Sequence, residues 1–307
     1  MTKKTRPIRP LHNFELVEQF LENALLLDLE QSENYALVPK IVTTELNIEN
    51  FDESLISINS KSYRIAQYRK DSDRKQLVEQ IILELLCDKR LAEDEDIKLG
   101  VGGAFPLTEI QLLNNAYIII GLPASGKSGI ASNLADKFGA YILDSDYAKR
   151  KLPEFDALPF GATLVHEESN NIIFGVANPK IINSLFDNCV ELGANIVIPK
   201  IGSTYEGILD LINLLKDNKY QVHLTLVELD RVKATQRALE RYKKTDRYIP
   251  LGLIFDTYGN SPTITFYKII THNKQLLASY GIISTDVAVG NKPKQILTTP
   301  NNPSNLY

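Results

Sequence analysis

The chain has 307 residues, of which 44% are hydrophobic and 23% are charged, and its formal net charge is −4. This length suits one α/β domain of ordinary size with an added smaller region. No apolar run approaches the roughly 20 residues that cross a membrane, so we predict a soluble globular protein without a membrane partner. The acidic balance argues against a nucleic-acid partner, because proteins that coat phosphate backbones usually carry a basic face.

The start of the chain, residues 1–10, is basic but lacks the apolar segment of a secretory signal, and we interpret it as a flexible tail. The two cysteines, Cys87 and Cys189, lie far apart without the spacing of metal ligands. We therefore expect two buried thiols in a reducing compartment, rather than a disulfide or a zinc site.

The first third of the chain is predicted to be mostly helical. Apolar residues recur with a period near 3.6 in residues 11–29 and again in 72–91, which predicts two amphipathic helices. Such stripes mostly pack into a core, although the second also suits a helix that binds a partner. Between them the pattern weakens, and the pieces 37–42 and 55–58 resemble short strands.

Two short stretches follow these helices. Residues 92–98 are acidic and are interpreted as a solvated connector. Residues 99–106 are rich in glycine but do not match the Gly-x-Gly-x-x-Gly spacing of a dinucleotide-binding turn.

An apolar, β-branched run ending at Ile120 breaks into Gly121-Leu-Pro-Ala-Ser-Gly-Lys-Ser128, which reads as Gly-x-x-x-x-Gly-Lys-Ser. The run is typical of a buried parallel strand, and residues 129–138 have the spacing of the helix that should follow. This context predicts a phosphate-binding loop, the alternative being a chance match in a surface turn.

Each residue type in this motif has a physical role. Glycine lets backbone N–H groups approach a polyphosphate closely. We predict that Lys127 neutralises the β/γ charge and that the Ser128 hydroxyl is a ligand of Mg²⁺. The predicted nucleotide-binding residues are Gly121, Ala124, Ser125, Gly126, Lys127 and Ser128.

From Ala116 onward, short β-rich runs alternate with helical stretches, which predicts βαβ units and a parallel sheet. In such sheets, ligands bind at the carboxyl ends of the strands, so the residues just after them are candidates for the site. The predicted strands are residues 117–120, 140–143, 194–198 and 221–228. The predicted helices are residues 129–138, 179–192, 206–216 and 231–242.

Asp144-Ser145-Asp146 directly follows the second predicted strand. A carboxylate there can accept the proton of an attacking hydroxyl, or orient Mg²⁺ through water. Aspartate and serine also cap helices well, so the segment has a structural alternative. We predict that Asp146 is catalytic, and we leave Asp144 open between substrate binding and capping.

These features, with Arg241-Tyr and a later Arg247-x-x-Pro, resemble the zeta-toxin kinases over about residues 117–255. The resemblance implies a P-loop kinase-like, doubly wound parallel sheet and transfer of the γ-phosphate of ATP or GTP to a hydroxyl of a nucleotide sugar. Related effector kinases act on NAD. It further implies that Asp146 is the general base, that Lys149 is its following basic residue, and that Arg241 and Arg247 stabilise the transferring phosphoryl group.

The arginine assignment agrees with the chemistry of phosphoryl transfer, which depends mainly on positioning and cationic stabilisation. The helix ending near Tyr242 is able to present guanidinium groups from a lid. The structural alternative is a solvated basic helix end, which suits the negative end of the helix dipole. No role is assigned to Arg237.

The chain departs from the resembled family where the acceptor binds. After the strand at 195–198, zeta toxins usually have an acidic residue and then Gly-Thr, whereas this chain has Pro199-Lys-Ile-Gly-Ser-Thr204. Their acidic residue on the preceding helix is replaced near Asn183. Both positions belong to the sugar-nucleotide pocket in the family, so we leave the acceptor open between UDP-N-acetylglucosamine and NAD.

A polar stretch at residues 165–171 is a second candidate for the acceptor site. We predict that His166 and Glu168 hold sugar or ribose hydroxyls, since buried polar groups matched to hydroxyls give selectivity. The alternative is a helix start with a solvated face. A metal site is disfavoured because the stretch lacks a pair of histidines four residues apart.

We therefore predict an accessory region at 1–110, a kinase domain at 111–275 and a C-terminal extension at 276–307, with a mobile tail from residue 291 that is rich in Asn, Pro and Thr. We expect a cytoplasmic kinase, or an effector delivered into another cell, that is neutralised by an antitoxin or chaperone. The alternative is a nucleotide-dependent switch or binding protein, which does not need the predicted base and arginines.

Overall fold

The computed structural model describes residues 9–158, 160–175, 182–288 and 290–307. Within them, one mixed sheet contains β1 (Asn115–Ile120), β2 (Ala140–Ile142), β3 (Asn195–Lys200), β4 (Gln221–Glu228), β5 (Ser279–Ser284) and β6 (Lys294–Thr298). The spatial order is β2-β3-β1-β4-β5-β6; the first five strands are parallel, and β6 is antiparallel to β5. The carboxyl end of β1 therefore lies where the strand order reverses, which is where ligands bind in such sheets.

The α-helices of the described residues are α1 (Phe14–Gln19), α2 (Ser32–Tyr35), α3 (Leu37–Glu49), α4 (Asp71–Cys87), α5 (Lys127–Phe138), α6 (Ser145–Lys151), α7 (Glu154–Ala157), α8 (Gly161–Leu164), α9 (His166–Phe174), α10 (Leu185–Leu192), α11 (Tyr205–Asp217), α12 (Arg231–Thr245) and α13 (Ser261–His272). The segments Phe20–Ala24 and Leu253–Tyr258 are π-helical. None of the described helices has both the length and the apolar composition needed to cross a membrane.

The predicted α/β fold is confirmed, and the four predicted strands correspond to β1–β4. The strand β1 is apolar on both sides because helices cover both faces of a parallel sheet, and Ile118 to Ile120 are completely buried. The predicted helix 179–192 is α10, which begins only at Leu185 because Ser184 caps it and residues 182–184 are not helical; residues 179–181 lie outside the described part of the chain. The basic start of the chain also lies largely outside it.

The N-terminal helices share their core with the rest of the molecule. Leu77 and Ile81 of α4 belong to the apolar core of the sheet. Val38 and Ile41 of α3 belong to a second cluster that includes Leu122, which lies in the loop after β1. The N-terminal region therefore packs against the loop that carries the predicted nucleotide site.

Helix α3 also holds the end of α12 through polar contacts. Thr44 Oγ1 lies 3.0 Å from Tyr242 Oη, and Tyr248 Oη donates to Glu45 Oε1 at 2.5 Å. An ion pair joins Lys40 to Asp246, the residue that directly follows α12. Burial raises the pKa of Glu45, while the hydrogen bond from Tyr248 partly offsets this effect.

Several local predictions need correction. Residues 37–42, which resemble a strand, lie in α3; Pro39 is tolerated because the first turn of a helix does not use its N–H groups. The stretch 55–58 is not a strand either, since a 3₁₀ turn covers Glu53–Leu55 and a bend and a turn follow it. Cys87 is exposed, whereas Cys189 is buried as expected.

The expectation of a mobile C-terminal tail is also wrong. The tail contains β6 and a 3₁₀ turn at Pro303–Leu306. The side chain of Asn302 is buried and donates to Leu224 O at 3.3 Å and to Ser279 Oγ at 3.2 Å. The polar composition suggested disorder, but these side chains satisfy buried polar groups of the sheet.

We expect Tyr248→Phe to lower the free energy of unfolding by about 1–3 kcal/mol, because the buried carboxyl group of Glu45 loses its donor. Urea denaturation followed by circular dichroism measures the change. The matched control is Tyr267→Phe, since the ring of Tyr267 is 49% exposed and should be tolerated within error. Equal stability of the two variants would show that the contact between α3 and the segment after α12 is weak.

Candidate functional site

The loop after β1 is held by close packing of its backbone. Gly121 donates its N–H to Ile201 O at 3.1 Å, and a Cβ at this position would lie 2.6 Å from the carbonyl oxygen of Val227. Gly126 has a φ of +86°, a left-handed conformation that favours glycine, and it precedes the first turn of α5. Gly121 is thus required by the close approach of the Val227 carbonyl, and Gly126 is required by its left-handed backbone angle.

Lys127 closes this loop. Its ammonium group donates to Gly121 O at 2.8 Å and to Leu122 O at 2.5 Å. Burial lowers the pKa of Lys127 to about 8, the charges of Asp144 and Asp146 oppose this shift, and Arg241 adds to it. Three other residues that the sequence predicts for the site therefore lie close enough to Lys127 for their charges to act on it.

The remaining loop residues contribute polar groups and a sharp backbone turn. Ser128 is exposed on the first turn of α5, beside backbone N–H groups that no helical carbonyl satisfies. Ser125 Oγ is buried and has no hydrogen-bond partner among the described residues. Ala124 has a φ of +59°, which turns the backbone at the centre of the loop. This geometry agrees with a loop that wraps a polyphosphate.

A residue that the sequence reasoning missed supports the loop from β5. Thr285 follows this strand, and its Oγ1 donates to Ser125 O at 2.8 Å. Arg237 in turn donates from Nη2 to Thr285 O at 2.8 Å. Because β5 was not predicted, no sequence signal placed Thr285 beside the loop.

The two aspartates after β2 have different environments. Asp144 caps α6 by accepting the N–H of Asp146 at 2.9 Å, so the capping alternative holds for this residue. Asp146 is 55% exposed and accepts from Lys149 Nζ at 2.7 Å. The two predicted residues Asp146 and Lys149 thus form an ion pair.

The surroundings of this pair shift the pKa values of Asp144 and Asp146 in opposite directions. Burial and the neighbouring carboxylate of Asp146 raise the pKa of Asp144. The surrounding protein partly desolvates the carboxylate of Asp146, which acts to raise its pKa, but Lys149 and Arg150 outweigh this effect and hold the pKa well below its usual range. Asp146 is therefore the carboxylate of the pair that stays ionised when the pH falls below the raised pKa of Asp144.

Of the two predicted arginines, Arg247 lies near Asp146, and Arg241 lies near Lys127 and Arg247. The Nε of Arg241 is buried and has no hydrogen-bond partner among the described residues. Arg247 lies over the ring of Phe155, 5.0 Å from its centroid, and burial and Arg150 lower its pKa. Cations in this position are suited to a phosphate ligand, which supplies the missing acceptors.

The acidic run 92–98 is more than the predicted solvated connector. Glu95 Oε1 lies 3.4 Å from Arg247 Nη1 and 3.7 Å from Arg150 Nη2. Asp94 accepts a hydrogen bond of 2.7 Å from the hydroxyl of Tyr147. The run therefore reaches the arginines of the site, which its composition alone did not indicate.

The structure does not place Glu168 in the acceptor site. Its carboxylate is buried and accepts from Arg74 Nε and Nη2, both at 2.7 Å, and from Ser57 Oγ at 2.5 Å. Arg74 also pairs with Glu154 at 2.9 Å, so the three charges form a buried network between α4, α7 and α9. The prediction that Glu168 binds hydroxyls is corrected, because this network uses both of its oxygens.

His166, in contrast, is exposed, with its Nε2 3.3 Å from Asn170 Nδ2. The hydroxyl of Ser145 donates to Asn170 Oδ1 at 2.5 Å, which links α9 to the turn between the two aspartates. His166 is therefore placed beside the candidate site, as predicted, and its role stays a prediction.

The described residues contain no group of three or more His, Cys, Asp or Glu side chains arranged to hold a metal ion. A Mg²⁺ ion at a phosphate-binding loop does not need such a group, because phosphate oxygens, waters and one hydroxyl supply most of its ligands. Exposed Ser128 and the nearby carboxylates of Asp144 and Asp146 fit that donor set.

We expect Gly121→Ala to weaken ATP binding at least about tenfold, because the added methyl group would displace the loop from the Val227 carbonyl. Isothermal titration calorimetry measures the affinity. Gly129→Ala is the matched control, since its Cβ would meet no atom within 4 Å, and alanine favours the helix. Equal affinities for the two variants would contradict the steric argument.

Comparisons with known proteins identify the family of the chain. The zeta toxin family model matches residues 111–265. No curated protein sequence matches the chain. A structure from the PezAT chromosomal toxin–antitoxin system of Streptococcus pneumoniae is 14% identical, with 77% of this chain and 86% of that chain covered and a TM-score of 0.53.

Two further structures are of the AvrRxo1-ORF1:AvrRxo1-ORF2 complex. The native complex is 17% identical, with 76% of this chain and 68% of that chain covered and a TM-score of 0.46. The complex with ATP is 17% identical, with 73% and 65% covered and a TM-score of 0.46. The family match spans the phosphate-binding loop, both aspartates and both arginines, and the chain belongs to the zeta toxin family.

Proposed function

We propose that the chain is a kinase that transfers the γ-phosphate of ATP, or of GTP, to a hydroxyl group of a nucleotide-type small molecule. The observation that carries this proposal is that the charges of Asp144 and Asp146, which follow β2, and of Arg241 on α12 all act on Lys127 in the loop after β1. A protein that only binds a nucleotide needs the cations, but it does not need an ionised carboxylate beside them.

Binding of the donor begins at the loop. The backbone N–H groups at the start of α5 surround the β-phosphate, and Lys127 moves from the carbonyls of Gly121 and Leu122 to the phosphate oxygens. The negative charge of the nucleotide offsets the desolvation of this ammonium group and raises its pKa from about 8.

Asp146 accepts the proton of the attacking hydroxyl. Its carboxylate is ionised, is 55% exposed and accepts from Lys149 Nζ at 2.7 Å. The pKa of Asp146 is low, which makes it a weak base. Full removal of the proton therefore accompanies, rather than precedes, formation of the bond to phosphorus.

Arg241 and Arg247 stabilise the charge on the transferring phosphoryl group. The unpartnered Nε of Arg241 is a preorganised donor, whereas Arg247 exchanges its contact with Glu95 for the phosphate. Such cationic stabilisation is the main contribution that a protein makes to phosphoryl transfer.

A bound Mg²⁺ ion would neutralise charge on the β- and γ-phosphates, and Ser128 is the residue that would hold it directly. The charges of Asp144 and Asp146 act on the neighbouring Lys127, so both carboxylates are close enough to orient the ion through water. The test of this assignment is loss of transfer on chelation with EDTA and its recovery with added Mg²⁺.

The acceptor is proposed to be UDP-N-acetylglucosamine or NAD, both of which carry suitable hydroxyls. Since the pneumococcal neighbour comes from a toxin–antitoxin system, we also propose that this chain acts as a toxin or effector that a partner protein neutralises. Co-purification with the product of an adjacent gene tests the partner independently of the chemistry.

We expect Asp146→Asn to reduce phosphate transfer from γ-labelled ATP by about a hundredfold or more, with nearly unchanged ATP affinity, because the amide cannot take the proton. The acceptors are UDP-N-acetylglucosamine and NAD, and Lys127→Ala is the variant that should also lose ATP binding. The control is Asp210→Asn, an exposed aspartate on α11. Tight ATP binding without transfer to either acceptor would favour the nucleotide-dependent switch.

We expect Arg241→Gln to lower the rate constant of transfer by about a hundredfold or more without lowering thermal stability, because its buried Nε has no partner to lose. Lys244→Gln, an exposed change on the same helix, is the control. Single-turnover kinetics and thermal unfolding separate the two effects. A loss of stability with an unchanged rate would make Arg241 a structural residue.

A further inference from the structure

Two arginines of the cleft share one carboxylate oxygen. Glu95 Oε1 lies 3.4 Å from Arg247 Nη1 and 3.7 Å from Arg150 Nη2, so both guanidinium groups approach the same atom. Two like charges at such a separation repel each other. The carboxylate of Glu95 lies between them and offsets this repulsion.

The repulsion is strong because both cations are partly removed from water. The side chain of Arg150 is only 8% exposed, and its Nε has no hydrogen-bond partner among the described residues. Burial and the charge of Arg150 lower the pKa of Arg247, whereas the charge of Glu95 acts to raise it. A buried cation that loses its carboxylate is unfavourable, so the two arginines depend on Glu95 to stay side by side.

The turn that carries Glu95 is fixed to α6 on both of its sides. The buried Tyr147 donates from its hydroxyl to Asp94 Oδ1 at 2.7 Å. Lys151 is completely buried and donates from Nζ to Lys98 O at 3.1 Å. Tyr147 and Lys151 are four residues apart and therefore lie on the same side of α6. The backbone at Glu95 is thus anchored to the helix that also carries the proposed base.

Arg247, in contrast, is not oriented by its own segment. It lies within residues 246–250, which have no regular secondary structure. The ring of Phe155, whose centroid is 5.0 Å from its guanidinium carbon, attracts the cation without fixing the direction of its N–H groups. A carboxylate does fix that direction, because a charge-assisted hydrogen bond depends on angle as well as distance. The anchored Glu95 therefore sets the position of this arginine.

We propose that Glu95 is a positioning residue for phosphoryl transfer, which holds the guanidinium of Arg247 within reach of the γ-phosphate. This inference rests on the proposed kinase function, in which Arg247 leaves Glu95 for the phosphate. The carboxylate then remains with Arg150 and continues to neutralise it. Because Glu95 lies outside the family match at residues 111–265, this role belongs to the N-terminal region of the chain.

Binding of the γ-phosphate tests this role without an acceptor. Calorimetry in the presence of Mg²⁺ compares ADP with adenylyl imidodiphosphate, an ATP analogue whose γ-phosphate is not transferred, and the ratio of the two affinities is the γ-phosphate preference. We expect Arg247→Gln to reduce this preference about tenfold and Glu95→Gln to reduce it at least about threefold, with nearly unchanged ADP affinity. Glu93→Gln removes an exposed carboxylate two residues earlier and should have no effect.

Two double variants show whether Glu95 acts through the arginines. In the Arg247→Gln background, Glu95→Gln should reduce the preference no further, because the group that it positions is absent. Adding Arg150→Gln to Glu95→Gln should restore most of the preference, because the repelling cation is removed. A general disturbance of the fold would instead lower the ADP affinity and add to the effect of Arg247→Gln.

An unchanged preference in Glu95→Gln would overturn the positioning role. A raised preference would overturn it as well, because Glu95 would then only compete with the phosphate, and so would an effect that persists in the Arg247→Gln background. When the preference depends on Glu95 but no phosphate reaches UDP-N-acetylglucosamine or NAD, the positioning role stands and the proposed kinase function fails. The two failures are therefore distinguishable.

Discussion

The closeness of two backbones at the end of β1 is the constraint on which the candidate site depends. Gly121 lies so near the carbonyl of Val227 that a side chain does not fit, and this contact directs the following loop over the end of the sheet. Lys127 then bonds back to the carbonyls of the same loop. The loop is thus built before a nucleotide arrives, so little ordering is required on binding.

The distribution of charge follows from this placement. The loop brings the Lys127 ammonium toward the two aspartates after β2 and the arginine near the end of α12. The ammonium of Lys127 donates to backbone carbonyls, the Nε of Arg241 has no hydrogen-bond partner among the described residues, and isolated buried charge is unfavourable. An anionic ligand removes that cost, which explains how a stable fold can keep cations ready for phosphate.

The N-terminal helices contribute to the same arrangement from outside the family match. Their apolar side chains pack on Leu122, and α3 holds the segment between Tyr242 and Tyr248, within which Arg247 lies. The acidic run after α4 contacts that arginine through Glu95. The predicted accessory region is therefore packed onto both the loop and the arginine segment, and the predicted boundaries at residues 110 and 275 remain a proposal.

Local patterns were sufficient for the parts of the site that lie within one strand, one turn and one helix. The glycines, Lys127 and Ser128 follow a buried strand at fixed spacing, and Asp146 follows the next one. Local patterns failed where several interpretations fit the same residues. Pro39 in the first turn of α3 made a helix resemble a strand, and Gly281 in β5 obscured a strand that pairs with β4.

The sequence by itself determined the nucleotide loop, the α/β class and the family, because these depend on short-range spacing and hydrophobic period. Only the tertiary structure decided which charged groups face one another. It assigned Glu168 to a buried network with Arg74, brought Thr285 under the loop, and set Lys200 over Phe174. Contacts between residues far apart in the chain depend on how helices pack on the sheet, and a local pattern does not encode that packing.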